Sequence, residues 1–416
     1  MTSRNVVIVD PYSSGTLLAP EFIKRGFQCI AVHSKPLLGD TLSSSYRSVD
    51  FIHEFFFNSD LEQLCEKISS FYPICVVPGT ESGVLLADEL AYNLDLPHNS
   101  ILLSSARRDK FLMQNCIKAA GLRSIEHYVT ENLQDALLWQ AGQANGIVVV
   151  KPLNSAGSDN VRLCETVEEM EKVFLKILSS PNLYGEKNER VLLQEYIQGE
   201  EYVVDAVSKN GKHVVTNICK YTKDIVNGSF IYRETRYLPA TGKIASILTD
   251  YNDAVLDALD ILFGASHSEI ILTDKGPVLV EVGARLHGGI TSPQVIESCS
   301  VKGPVTLLVD CYTNENEFHK CTGLPNLFNS HAVAFTFANK KAGILTEIPA
   351  IKILSNLSSF FSLKLNVKNG DYLKFTTDLY SSPGWVVLKN KDENQLEIDL
   401  DFVKTLERDD KLFTVR

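Results

Sequence analysis

The sequence predicts a multidomain fold of α/β and α+β units, and three observations carry that prediction. Its 416 residues are too many for one small core and suggest two to four compact units. Roughly the first hundred residues alternate short β-branched runs with helical patterns, the rhythm of a parallel sheet flanked by helices. Beyond about residue 200 the rhythm changes to successive alternating strands and a hairpin, which predicts antiparallel sheet. The expected units are an N-terminal α/β domain at 1–105, a small lid with linker helices at 106–197, a larger subdomain at 198–330 and a C-terminal α+β subdomain at 331–416.

In order, the N-terminal unit reads as strand Val6–Val9, a helix containing Phe22–Arg25, strand Cys29–His33, helix Leu61–Phe71, strand Ile74–Val77 and a helix after Gly79. Helical periodicity then covers Arg107–Ala120, with Gly121 as its stop, and Asn132–Gln143. The lid reads as strand Ile147–Lys151, a polar glycine loop Asn154–Asp159, helix Val167–Leu178 and strand Val191–Tyr196. Strands Glu201–Ser208 and His213–Tyr221 precede a helix near Tyr251–Phe263. A hairpin follows at His267–Leu272 and Val278–Val282, turning through Asp274-Lys275-Gly276. Strands near Ala332–Ala338, Phe361–Leu365 and Trp385–Leu388 complete the chain.

Hydrophobic residues at 44% and charged residues at 22% exclude a disordered or collagen-like chain. No apolar run approaches the ~20 residues that cross a bilayer, and the amino terminus enters a short strand, so no membrane association is expected and the cytoplasm is the expected address. Nine cysteines lack any CxxC pair and are odd in number, which argues against a zinc ribbon or a complete disulfide framework. With 40 basic and 51 acidic side chains, the net charge of −11 offers no general attraction for nucleic acid.

The chemistry concentrates in the hairpin. Glu269 and Glu281 stand on paired strands, and two oxygen ligands that leave room for water and phosphates suit Mg²⁺ (or Mn²⁺), one or two ions. Arg285 follows within reach, where a guanidinium can neutralise a transferred phosphoryl group or hold a substrate carboxylate. Gly283, Gly288 and Gly289 let backbone amides approach a ligand or an acyl oxyanion. A salt-bridged surface hairpin is the plainer alternative.

Lys151 ends an apolar strand, and burying an ammonium there is costly unless an anion lies near. The loop that follows, with Ser155, Gly157 and Ser158, suits folding over phosphates, although it is not a Walker loop. Gln194-Glu195-Tyr196-Ile197 exits a strand with backbone groups able to read a purine, and Glu201 is placed to reach ribose hydroxyls; an ordinary strand exit explains the segment too. The turn Asp10–Gly15 either offers amides to a polar ligand or only makes a tight bend. Without GxGxxG it does not support a dinucleotide site.

Taken together, Lys110, Val149–Pro152, Ser155–Ser158, Glu195–Ile197, Gly199–Tyr202 and Glu281–Arg285 resemble the ATP-grasp superfamily in order and spacing. Pro78-Gly79-Thr80-Glu81, the run Gly283–Gly289, Thr376-Thr377-Asp378 and Ser382-Pro383-Gly384 resemble the L-amino-acid ligases within it, over nearly the whole chain. The resemblance implies an ATP-grasp fold with an N-terminal Rossmann-like domain and a mobile lid. It also implies ATP with its phosphates on Lys110 and Lys151, adenine at Glu195 and the following backbone, ribose at Glu201, and metal on Glu269 and Glu281. Many relatives carry asparagine where this chain has Gly283, so one protein ligand to metal is missing.

The reaction implied is transfer of the ATP γ-phosphate to an amino-acid carboxylate, then attack on the acyl phosphate by a second amino acid's amine, with a homodimer as a possible assembly. Glu81 is then a candidate to grip an α-ammonium, or an exposed loop acid. His287 either assists proton removal or packs near Arg285, with His267 in a supporting place. Asp378 either faces the amino-acid pocket, favouring a basic substrate side chain, or closes a turn.

Overall fold

Three runs rich in β-branched residues, Asn5–Val9 (β1), Gln28–His33 (β2) and Pro73–Pro78 (β4), and the aromatic run His53–Phe56 (β3) pair in parallel in the order β3-β2-β1-β4. Alternation along β1 explains the layering. Val7 and Val9 face the helices Leu61–Ser69 and Val84–Asn93, while Val6 and Ile8 face Leu18–Lys24 and Pro304–Thr313, so both faces of the sheet are covered. The computed structural model describes the chain except residues 1–3, 36–43, 144–145, 156, 184, 289–292, 301, 324–327 and 380.

The lid strands are His127–Thr130 (β5), Val148–Pro152 (β6), Arg162–Cys164 (β7) and Val191–Glu195 (β8). Val148, Val150, Val191 and Leu193 pack under the helices Leu133–Ala141 and Val167–Ser179, leaving Val149, Lys151 and Gln194 to face the opposite side. Thr166 and Glu169 close a capping box that starts the second helix.

Glu200–Lys209 (β9), Lys212–Val226 (β10), Ser229–Leu238 (β11), Gly264–Thr273 (β12) and Gly276–Gly283 (β13) form the antiparallel floor. One large sheet runs β13-β12-β9-β10-β11-β7-β6-β8-β5, and lid and floor meet at the single register pair Ser229 with Arg162. The later strands are His331–Thr336 (β14), Gly343–Glu347 (β15), Phe360–Leu365 (β16), Tyr372–Leu373 (β17), Gly384–Asn390 (β18) and Thr414–Val415 (β19). β14, β18 and β16 extend the large sheet from β11, and the helices Ala350–Leu354 and Glu393–Arg408 cover a core of their own against them.

The sequence reading did not name β3, β5 or the helices Pro304–Thr313 and Glu393–Arg408, and two further elements depart from it for a physical reason. β11 was not expected, because Arg233 and Glu234 are buried within it and erase the apolar alternation, yet Asn227-Gly228 before it is a strong hairpin signal. The helix expected near 251–263 spans Lys243–Ala258; Asp260, at φ 48°, turns the chain while the apolar pattern runs on through Leu259 and Ile261. Among the described residues all nine cysteines are free thiols, and no helix is long and apolar enough to cross a membrane.

Candidate active site

Lid and floor enclose a cavity of about 1310 Å³. On the floor, Glu269 of β12 stands opposite Glu281 of β13, so both side chains share a face. The register jumps from Glu269–Glu281 to Ile270–Leu279, leaving Val280 as the extra residue of a bulge, and Val280 and Glu281 both line the cavity. The paired carboxylates offer the oxygen donors a hard divalent cation takes, with open space for its remaining ligands.

Three ammonium groups converge here. Lys110, first residue of the helix Lys110–Ala119 capped by Asp109, donates to the Ser155 carbonyl at 2.9 Å and lies 2.9 Å from Glu281, tying the loop to the hairpin. Lys151 is 4% exposed. Burial, then Lys110, pulls its pKa down from 10.5 to about 8, against Glu281 and Glu269. Lys223 on β10 is 2.6 Å from Glu201 and 4.1 Å above the Tyr232 ring; burial opposes its charge, but Glu201, Tyr232 and Glu269 raise its pKa well above the usual range. The sequence reading missed Lys223, whose signal was a lysine inside an alternating strand. Glu201, expected at a ribose, lines the cavity and pairs with Lys223 near Glu269; burial and the Glu269 charge raise its pKa against Lys223.

The loop after β6 bends through Gly157, Ser158 and Asn160, all at positive φ, and Ser155 Oγ donates to Asp159 at 2.7 Å. Left-handed residues of this kind turn backbone amides inward as an anion cradle. Ala156 and Gly289 lie outside the described residues. At the other end, Glu195, Tyr196 and Ile197 line the cavity beside Ile125, Val149, Ile271 and Val280, an apolar slot for a flat base. Glu195 Oε1 accepts from Glu126 N at 3.0 Å, so its carboxylate is occupied by backbone.

Arg285 and Gly288 line the cavity, whereas Glu81 stands behind Arg285: Glu81 Oε2 is 2.7 Å from Arg285 Nε and Oε1 is 2.7 Å from Arg108. Burial alone pushes the Glu81 carboxyl up, but Arg285 and then Arg108 outweigh it and hold it at about 2. The structure thus gives Glu81 arginine partners where an α-ammonium was anticipated. Asp378 does not line the cavity; its carboxylate accepts from Ser381 N at 2.7 Å and closes its own turn.

His287 Nδ1 is 3.1 Å from Asp205, and its Nε2 is 3.0 Å from the Tyr221 hydroxyl. His267 Nδ1 is 2.7 Å from the other Asp205 oxygen, and the two imidazoles lie 4.0 Å apart between centroids, tilted by 31°. Burial lowers both imidazole pKa values; Asp205 raises that of His267 to about 9, while the His267 charge helps keep His287 low. His287 therefore donates through Nδ1 and accepts the Tyr221 proton at Nε2, which knits it into the floor. Asp205, Asn217, Tyr221 and Tyr232 escaped the sequence reading because only register brings them under the hairpin.

Residues 145–294 match the family model of the ATP-grasp domain. The chain is 30% identical over 390 residues to dapdiamide A synthase of Enterobacter agglomerans, covering 92% of this chain and 91% of that one. It is 22% identical over 219 residues to the L-arginine-specific L-amino acid ligase of Bacillus subtilis, about half of each chain at 51% and 52%. The solved L-amino acid ligase of Bacillus licheniformis superposes with a TM-score of 0.76 at 16% identity, over 99% of both chains. Fold and likeness agree: the chain is an amide-forming ligase of the ATP-grasp superfamily and belongs to its L-amino-acid ligase family.

Proposed function

We propose that this ligase joins the carboxylate of one L-amino acid to the amine of another through an acyl phosphate, converting ATP to ADP and phosphate. The observation that carries the reading is the opposed pair Glu269 and Glu281, in one cavity with Lys110, Lys151 and Arg285. Phosphoryl transfer needs positioning and charge neutralisation more than a protein nucleophile. Lys110, Lys151 and the loop at 155–158 suit the phosphates, and the slot at Glu195–Ile197 suits adenine. Mg²⁺ or Mn²⁺ on Glu269 and Glu281 would neutralise phosphate charge when bound.

Arg285 is assigned to the transferred phosphoryl group and the substrate carboxylate. The carboxylate oxygen takes the γ-phosphoryl group, the amine nitrogen attacks the carbonyl, phosphate leaves, and the amine loses a proton. A lid over the cavity restricts the access of water to the acyl phosphate. The nine free thiols suit a reducing cytoplasm. A nonstandard acid or amine is the second reading, favoured by the long match to a synthase named for dapdiamide A.

The test is a matrix of acid and amine pairs with ATP and Mg²⁺, scored for phosphate release and by mass for the condensed product. Product from two L-amino acids supports the first reading, product only with a nonstandard partner supports the second, and phosphate without product rejects both. Glu281→Ala is expected to abolish metal-dependent ADP release without changing the far-ultraviolet circular dichroism, because it removes a partly exposed ligand at the cavity wall and no apolar core volume. Near-parental release excludes Glu281 from the metal site.

A further inference from the structure

We infer that Glu81 is a positioning residue for Arg285, and that glycine at position 283 is what admits it. The inference rests on the assignment of Arg285 to the reacting groups. Glu81 opens a short 3-10 turn, Glu81–Gly83, after β4 in the N-terminal sheet, whereas Arg285 follows β13 on the floor. Their side chains meet at 2.7 Å, each about 12% exposed, with Arg108 on the far carboxylate oxygen and 10% exposed. Arg285 Nη1 also donates to the Leu286 carbonyl at 3.0 Å. Two anchors on different nitrogens fix the plane of a guanidinium, which a single contact leaves free to turn. Glu81 does not itself reach the cavity, so its effect on a substrate passes through Arg285.

Gly283 supplies the room. A Cβ at this position would lie 2.7 Å from Glu81 Oε2, 3.1 Å from Arg285 Cζ and 3.3 Å from Arg285 Nε. Gly283 ends β13, beyond the bulge at Val280, and has no left-handed backbone angle, so its conformation does not call for glycine. The atoms in the way belong to the ends of two flexible side chains and not to backbone. A side chain at 283 is therefore accommodated by moving the carboxylate off the guanidinium, at little cost to the fold. A charged pair assembled from two separate units is thus kept by the absence of one methyl group.

Glu81→Gln, Gly283→Ala and the double variant, made in the full chain, test this by steady-state ADP release with the acid and amine pair found productive. Loss of alignment at a reacting group predicts that each single variant loses up to about 100-fold in kcat. KM for ATP is expected to stay within about threefold, since the contacts proposed at Lys110, Lys151 and Glu195–Ile197 do not pass through Arg285. The double variant is expected to be little worse than Glu81→Gln, because the methyl group then has no ion pair to break. Parental kcat in Glu81→Gln, or losses that multiply in the double variant, overturn the inference.

A crystal structure of Gly283→Ala reads the geometry independently of turnover. Glu81 displaced from Arg285 Nε supports the inference, and an unchanged 2.7 Å pair overturns it. If the parent condenses no pair of substrates, the functional reading fails while this structural comparison still decides the positioning role.

Discussion

Lys151 shows how one residue type acquires a task from its surroundings. An ammonium 4% exposed on an apolar strand carries its burial cost in the charged form, which brings its pKa down to about 8. The unfolded chain, with lysine at 10.5, binds the extra proton more readily between these values. That cost to stability is therefore complete below pH 8 and is relieved as pH rises toward 10.5. Attraction for phosphate runs the other way. Affinity for ATP, measured by calorimetry on the free protein, is expected to weaken as pH rises from about 7 to about 9.5, and Lys151→Arg should flatten the dependence because a guanidinium stays charged throughout. A parental protein with flat affinity across that window excludes Lys151 from the phosphate site. The lysine and its apolar strand were legible in the sequence; Lys223, which shares only Glu269 with it, was not, because its partners come from β9, β11 and β12.

At the scale of elements, the joint between lid and floor is narrow. β7 and β11 share one register pair, supported by the bond from Leu163 N to the Gly228 carbonyl at 2.8 Å. Asn227 and Gly228, at φ 50° and 73°, make the tight turn between β10 and β11, and a Cβ on Gly228 would sit 2.5 Å from the Leu163 carbonyl. Gly228→Ala meets both a left-handed backbone and a backbone collision, so it is expected to cost about 1–3 kcal/mol and to separate the lid edge from the floor. Denaturant unfolding measures the first effect and weaker ATP binding the second; a variant with parental stability would show that the joint relaxes without penalty. The hairpin β12–β13 was legible because its strands alternate around an Asp-Lys-Gly turn. The bulge at Val280 was not, since nothing in a lone strand records how many residues its partner offers.

Across the whole molecule, the N-terminal sheet is held against the catalytic floor by buried charge. Arg107, wholly buried, is 2.7 Å from Asp88 of the helix Val84–Asn93, donates to the Ser100 carbonyl at 2.7 Å and reaches the Leu259 carbonyl at 2.9 Å. Arg107→Leu leaves Asp88 buried without its counter-ion and is expected to cost about 3–5 kcal/mol, read as a lower unfolding midpoint. An unchanged midpoint would mean that Asp88 finds another partner. The exposed pair Lys35–Glu186 between the N-terminal segment and the lid, at 2.6 Å, contributes no more than about 1 kcal/mol by comparison.

By itself the sequence determined the parallel and antiparallel halves and pointed to most of the charged residues of lid and floor that line the cavity. Those signals are local: periodicity, turn residues and short motifs survive in a linear chain. Tertiary structure alone decided which charges meet. It set Glu81 behind Arg285, gave Lys223 to Glu201, occupied Asp378 with its own turn and tied His287 to Asp205. Ion pairs and shared protons depend on distances of a few ångströms between segments far apart in the chain, and those distances exist only after the strands have paired and the units have docked.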